Sequence, residues 1–256
     1  MESNTKRLPP REAYRAQLAR LARAMAVPGQ EADLPGELLP LGHVNAVQMF
    51  LSGNAEKRFD KLQRQLEFVA EGIDDLDEWI VRYQRDVPLS AYDSGTSDGR
   101  RMLEWLVENC PLTPRQRDYV ACQQARHEIE ELARSRRLQH VRFQEMRSLV
   151  NRWLGELESN DRLQVFLNPV RVWARFETDE LLDDDAALPG DVLFFADHGE
   201  VATAVLELEG QALVNLLADL NPCTLAEWAA HTPLADRGEL AELGRDLSGM
   251  GLVALG

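Results

Sequence analysis

The side chains best able to do chemistry in this 256-residue chain are a histidine one helical turn from a carboxylate, a run of three aspartates, and three cysteines. His127 and Glu131, in His127-Glu128-Ile129-Glu130-Glu131, stand at i and i+4, so one helix face would carry both and could hold a metal ion. The second histidine of a His-Glu-x-x-His zinc helix is missing, so a plain helix surface is the better expectation. Asp183-Asp184-Asp185 could face a hard cation, but it has neither the glycine nor the spaced ligands of a calcium loop and reads as a solvated acidic loop. Cys110, Cys122 and Cys223 form no CxxC pair, no zinc spacing and no dense disulfide framework. No histidine adjoins Cys110 or Cys122 to take the thiol proton, which points to buried or half-buried thiols. No glycine-rich phosphate loop follows a strand, no GxSxG elbow appears, and Gly249-x-Gly251 opens no helix. The chain is therefore expected to hold no metal and no cofactor of its own, and to act as a binding subunit rather than an enzyme.

Charge sharpens that expectation. The chain carries 43 acidic and 28 basic side chains, a formal net charge of −15. Residues 161–256 hold 18 Asp/Glu against 5 Arg, so nearly all the imbalance lies there. An acidic surface repels phosphate backbones and attracts basic polypeptides, which argues against a nucleic-acid partner for this segment. The plainer reading is that acidity aids solubility. No apolar run approaches the ~20 residues needed to span a bilayer, so no membrane partner is expected. The first ten residues lack the apolar stretch of a signal peptide, and a cytoplasmic location is the default.

The elements that must position a site follow from periodicity. Residues 1–160 read as helices, an all-helical domain. One carries Tyr14, Leu18, Leu21 and Met25; residues 30–42, with Pro35, Gly36, Pro40 and Gly42, read as a loop. Val44 to Leu51 reads as a short helix. A second, capped by Asn54, carries Phe59, Leu62, Leu66 and Val69, and a third carries Leu76, Trp79, Ile80 and Tyr83. Pro88 to Gly99 is a polar loop, followed by a helix with Met102, Leu103, Leu106 and Val107. Thr113-Pro114 opens the longest helix, to about Arg137, and Val141 to Leu157 repeats the pattern. From Leu163 the period changes to two. Residues 163–167, 170–176, 192–196 and 201–208 read as strands, with His198-Gly199 at a hairpin spacing. Three short helices follow, over 210–220, from Thr224 through Trp228, and from Asp236 through Leu247. The class is α+β: a helical domain over 1–160, then a small winged-helix-like domain over 161–256. The exposed edge of its last strand offers unpaired N–H and C=O groups, which accept an added strand from an extended peptide.

Specific residues carry a family resemblance. Asp191-Val192-Leu193-Phe194-Phe195-Ala196-Asp197-His198-Gly199-Glu200-Val201 and Ala204 to Leu213 resemble the strand–strand–helix opening of the precursor-peptide recognition elements of ribosomal peptide biosynthesis. Thr224-Leu225-Ala226-Glu227-Trp228, Leu240 to Leu247 and Gly251-Leu252-Val253 resemble their second and third helices. Upstream, Tyr92…Gly99-Arg100-Arg101-Met102-Leu103-Glu104-Trp105-Leu106, a helix from Asp118 to Glu131, and Leu163…Asn168-Pro169-Val170-Arg171-Val172 are similar to the partner proteins of multinuclear non-heme iron oxidative enzymes. That family includes the partner in methanobactin assembly, and the kind used in 3-thiaglutamate biosynthesis resembles this chain best.

The resemblance implies a heterodimer with a barrel-fold iron enzyme, which keeps the iron ligands and docks on the helical domain. The partner chain captures a ribosomal precursor peptide and presents its C-terminal cysteine for oxidative removal of a carbon. Carried onto this sequence, the peptide strand would add beside Val201-Ala202-Thr203-Ala204-Val205-Leu206, with the last helix as the other wall. There Leu240, Leu243 and Leu247 would meet apolar anchors, although at least two of them are expected in the core. Glu239, Glu242 and Asp246 would hold basic side chains, or simply form a solvated face. The competing readings are a winged-helix regulator that binds DNA, which should show a basic recognition helix, and a stand-alone metal enzyme built on His127. Arg237 and Arg245 face four acids in the last helix region (Asp236, Glu239, Glu242, Asp246), which disfavours the regulator.

Overall fold

Apolar spacing, caps and turns set the elements that the computed structural model contains, and it describes residue 15 and residues 44–87, 96–182, 188–232 and 237–256. The expected helix over Tyr14 to Met25, the loop 30–42, most of the loop from Pro88, the aspartates 183–185 and Asp236 lie outside the described residues. Two compact units divide the chain at Pro111/Leu112.

In the first unit, helices α1 (Val44–Gln65), α2 (Glu67–Ala70), α3 (Leu76–Asp86) and α4 (Asp98–Asn109) enclose a core that includes Leu62, Leu66, Val69, Ile80, Met102, Leu103 and Leu106. The two expected helices over 44–51 and from Asn54 are one continuous helix, because Gly53 and Asn54 do not break the main-chain ladder. The loop from Pro88 ends earlier than expected. Ser97 accepts the amide of Arg100 (3.2 Å) and starts α4 at Asp98. The Tyr83 and Trp105 rings meet edge-on at 5.7 Å.

The second unit begins with α5 (Pro114–Ser135), where Thr113 and Gln116 form a reciprocal capping box with Pro114 at the first helical position. Then come α6 (Arg137–Ser148) and two single 3₁₀ turns, Val150–Arg152 and Leu154–Glu156. The helix expected over Val141 to Leu157 thus starts earlier and stops at Ser148. Strands β1 (Gln164–Leu167), β2 (Arg171–Phe176), β3 (Gly190–Asp197) and β4 (Glu200–Val205) precede α7 (Leu208–Leu220), β5 (Cys223–Thr224), α8 (Leu225–His231), α9 (Arg237–Met250) and β6 (Val253–Leu255). The chain is α+β, and its strands form two antiparallel sheets, ordered β5-β1-β6 and β2-β3-β4.

The expected boundary after Asn160 falls inside this second unit, for physical reasons. Helix α5 packs along β2 and β3. The buried Asp118 carboxylate on α5 accepts the amides of Glu177 and Thr178, both at 2.7 Å, just beyond β2. Arg117 reaches Glu177 through two bonds (2.6 and 2.9 Å), and Arg147 on α6 pairs with Asp197 at the end of β3. Trp228, Leu217, Leu240, Leu247, Leu193 and Val165 meet in one core shared by both sheets and by α7 to α9. Periodicity locates helices in sequence but cannot say which sheet a helix covers, so residues 112–160 read as part of an N-terminal bundle.

Candidate functional site

The β3–β4 hairpin builds the open edge that the sequence led us to expect. Its turn is two residues, His198 (φ 47°) and Gly199 (φ 89°), both left-handed as a type I′ turn requires. Asp197 therefore pairs with Glu200, and the register runs Ala196↔Val201, Phe195↔Ala202, Phe194↔Thr203, Leu193↔Ala204, Val192↔Val205. A two-residue turn makes Asp197/Glu200 a hydrogen-bonded pair, and hydrogen-bonded and open pairs alternate from there. Ala202 and Ala204 thus point their main-chain groups at β3. Val201, Thr203 and Val205 point theirs outward. The Ala196 amide, opposite Val201, bonds instead to Val170 O on the other side of β3 (3.0 Å), as this alternation demands.

Strand β4 ends its sheet, and among the described residues no strand pairs with its outer side. Side chains alternate with the main chain. Ala204 is buried in the core, with Ala202 and Leu206 half-buried against it. Thr203 and Val205 are exposed on the opposite face, Val205 at 37%. Leu206 lies past the strand and its carbonyl already accepts Gln211 Nε2 (2.9 Å), so the usable edge stops at Val205.

The proposed second wall divides into two groups. Leu240 and Leu247 on α9 are 1% and 0% exposed and serve the core, and Leu243 is half-buried against it. No ligand could touch Leu240 or Leu247 without unfolding the helix from its sheet. The reason is the i, i+7 spacing itself, which aligns them with Ala241 and Gly244 on the inward face; Gly244 lies against Leu157 and Trp228. Glu239, Glu242 and Asp246 are exposed and make no ion pair among the described residues. The two basic residues of α9 are already engaged, Arg237 with Asp161 and Arg245 with Glu158. Among the described residues the acidic ridge is thus left uncompensated.

A groove of about 350 Å³ opens at the hairpin tip. Gln144, Arg147 and Ser148 of α6, His198 of the turn, and Arg245 and Ser248 of α9 contribute to its walls. None of residues 201–206, and none of Glu239, Glu242 or Asp246, lines it. It joins the turn to the C-terminal end of α9, where Gly251 (φ 88°) keeps the chain clear of the Arg147 guanidinium. A Cβ there would stand 2.7 Å from that group. Sequence reading missed this groove, because Arg147 and Asp197 are 50 residues apart and nothing local couples them.

The catalytic candidates resolve differently. Gln123 Nε2 donates to His127 Nε2 at 3.2 Å, so this ring nitrogen is engaged within its own helix. No cluster of three metal-ligating side chains occurs among the described residues. Burial raises the thiols of Cys110 and Cys122, and burial, with Glu227 adding to it, pushes Cys223 up to about 11. All three sulfurs are therefore thiols at neutral pH, the opposite of what a nucleophile requires. Among the described residues no helix is long and apolar enough to cross a membrane. No protein-family model, curated protein or solved structure matches the chain.

Proposed function

We propose that this protein is a non-catalytic recognition subunit, which binds a ribosomally made precursor peptide as an added strand on β4. It would present the peptide's C-terminal cysteine to a multinuclear non-heme iron oxidative enzyme in a heterodimer, as in 3-thiaglutamate-type biosynthesis. The iron belongs to the enzyme, and this chain supplies position. The observation that carries the reading is the outward main-chain edge at Val201, Thr203 and Val205, with no strand on it among the described residues. Three outward N–H/C=O pairs suit a short extended peptide, and each hydrogen bond made contributes about 0.5–1.5 kcal/mol net. Glu200, Glu207 and Glu209 are exposed near that edge and suit a basic precursor. A winged-helix arrangement in the strict sense, and a cytoplasmic location, belong to the same proposal.

The edge geometry gives a paired test. Thr203 turns its amide outward, so Thr203→Pro removes a donor the fold does not use, whereas Ala202→Pro removes one that pairs with β3. Fluorescence anisotropy with a labelled precursor should show Thr203→Pro losing affinity by about tenfold or more while melting near the parent temperature. Ala202→Pro should lower the melting temperature itself. Unchanged affinity in a folded Thr203→Pro protein removes the peptide from this edge. Co-purification with a co-expressed barrel-fold iron enzyme tests the partnership separately.

A further inference from the structure

Six arginines of the second unit (Arg115, Arg117, Arg147, Arg175, Arg237 and Arg245) each pair with a carboxylate. Among the described residues Arg136 and Arg171 make no such pair, although acids outnumber bases in the chain as a whole. Arg136 Nη1 donates to Pro169 O at 2.8 Å, and Arg171 Nη1 donates to Asn168 O at 2.6 Å. These are successive carbonyls, so one short turn holds two guanidiniums side by side. The turn is fixed. Asn168 is fully buried, its amide nitrogen donates to Ala196 O (2.9 Å) and Gly251 O (3.2 Å), and its Oδ1 accepts the Val170 amide (3.0 Å). Neither arginine can swing away from the other without giving up its carbonyl.

We propose that Arg136 and Arg171 form a binding site for a phosphate-type oxyanion. Two like charges held together repel. Burial, and secondarily the Arg136 charge, push Arg171 down to about 10, so it remains charged at neutral pH. Each guanidinium has five N–H donors and, among the described residues, spends one on a carbonyl, leaving two planar forks unused. Arg136 itself is anchored at the junction of α5 and α6, where its amide donates to Leu132 O at 2.7 Å. A dianion with three or four oxygens would neutralise the pair and fill both forks. Two guanidiniums that only cap carbonyls would gain nothing from one anion over another.

The ³¹P resonance of inorganic phosphate, titrated with the full-length chain at fixed ionic strength, reads binding directly. Line broadening or shift that saturates at millimolar phosphate is expected, with a thermal midpoint raised above that in chloride of equal ionic strength. Arg136→Gln, at an exposed position, should weaken phosphate by about tenfold, the loss of one charge-assisted contact. Arg237→Gln, which breaks a carboxylate-paired arginine, should leave it unchanged. A phosphomonoester such as glycerol 3-phosphate, binding as well as or better than phosphate, would identify an organic phosphoryl group as the natural source; weaker binding would identify the free ion. Equal midpoints in phosphate and chloride with no ³¹P change, or phosphate binding that survives Arg136→Gln, would overturn the site. Should Arg171→Gln fail to fold, the Arg136 variant and the direct titration still decide.

Discussion

Asp98 shows how single residues secure the helical unit. Its carboxylate is 6% exposed and takes two bonds from Arg58, at 2.7 and 2.9 Å, and one from the Tyr83 hydroxyl at 2.9 Å. Burial alone would raise its pKa; the bonds and charge of Arg58, the Tyr83 hydroxyl and Arg101 outweigh it and hold the carboxyl below the ordinary carboxylate range. Tyr83 moves the other way, raised by burial and then by the Asp98 charge. A carboxyl with a depressed folded pKa stabilises the fold fully above its unfolded pKa, and the contribution is lost as pH falls through the folded value. Stability of the chain should therefore hold from neutral pH down to roughly pH 5 and decline at more acid pH. Asp98→Asn should cost about 3–5 kcal/mol at pH 7, because it leaves the Arg58 guanidinium buried opposite an amide. It should also flatten the acid decline, as chemical denaturation at a series of pH values would read. An unaltered acid decline in the variant would assign that dependence to other carboxylates.

At the scale of elements, the β3–β4 hairpin decides whether an edge exists at all. Its register rests on the two left-handed residues of its turn, and only Gly199 adopts that conformation without a Cβ penalty. Gly199→Ala should cost about 1–2 kcal/mol. Some of that loss should appear as weaker peptide capture, because a one-residue slip would turn Val201, Thr203 and Val205 inward. A thermal melt and the anisotropy assay on the same protein separate the two effects. Helix α9 has a structural part to play. Leu247→Ala should lose about 2–5 kcal/mol by opening a cavity beside the core, whereas Glu242→Gln, on the exposed ridge, should leave the melting temperature within a degree or two. A small loss for Leu247→Ala would mean that the helix is held by something other than its leucines.

At the scale of the whole molecule, charge is distributed unevenly along the chain. Residues 161–256 carry the acids, while residues 112–160 of the same compact unit carry nine arginines against seven acids. Some of those arginines are spent on the acidic segment, as Arg115–Glu180 (2.5 Å), Arg117–Glu177 and Arg147–Asp197 are. Among the described residues the acids of the α9 ridge and the glutamates near the hairpin make no ion pair. Capture of a Lys- or Arg-rich precursor should therefore weaken as salt rises from about 0.05 to 0.5 M, over which the screening length shrinks severalfold. Affinity indifferent to salt would show that the main chain, not the acidity, holds the peptide.

Much of this was legible along the chain. The capping box at Thr113, the period change at Leu163 and the His198-Gly199 turn each depend on neighbours within a few residues, so the sequence alone was sufficient to place the long helix, the strands and the hairpin. Only the tertiary structure decided that β5 and β6 flank β1, that residues 112–160 belong with the sheets, that Leu240 and Leu247 are core, and that Arg136 stands beside Arg171. Each of those depends on contacts between residues tens of positions apart. Such contacts are fixed by which faces find room to pack together, and periodicity records only that a face exists.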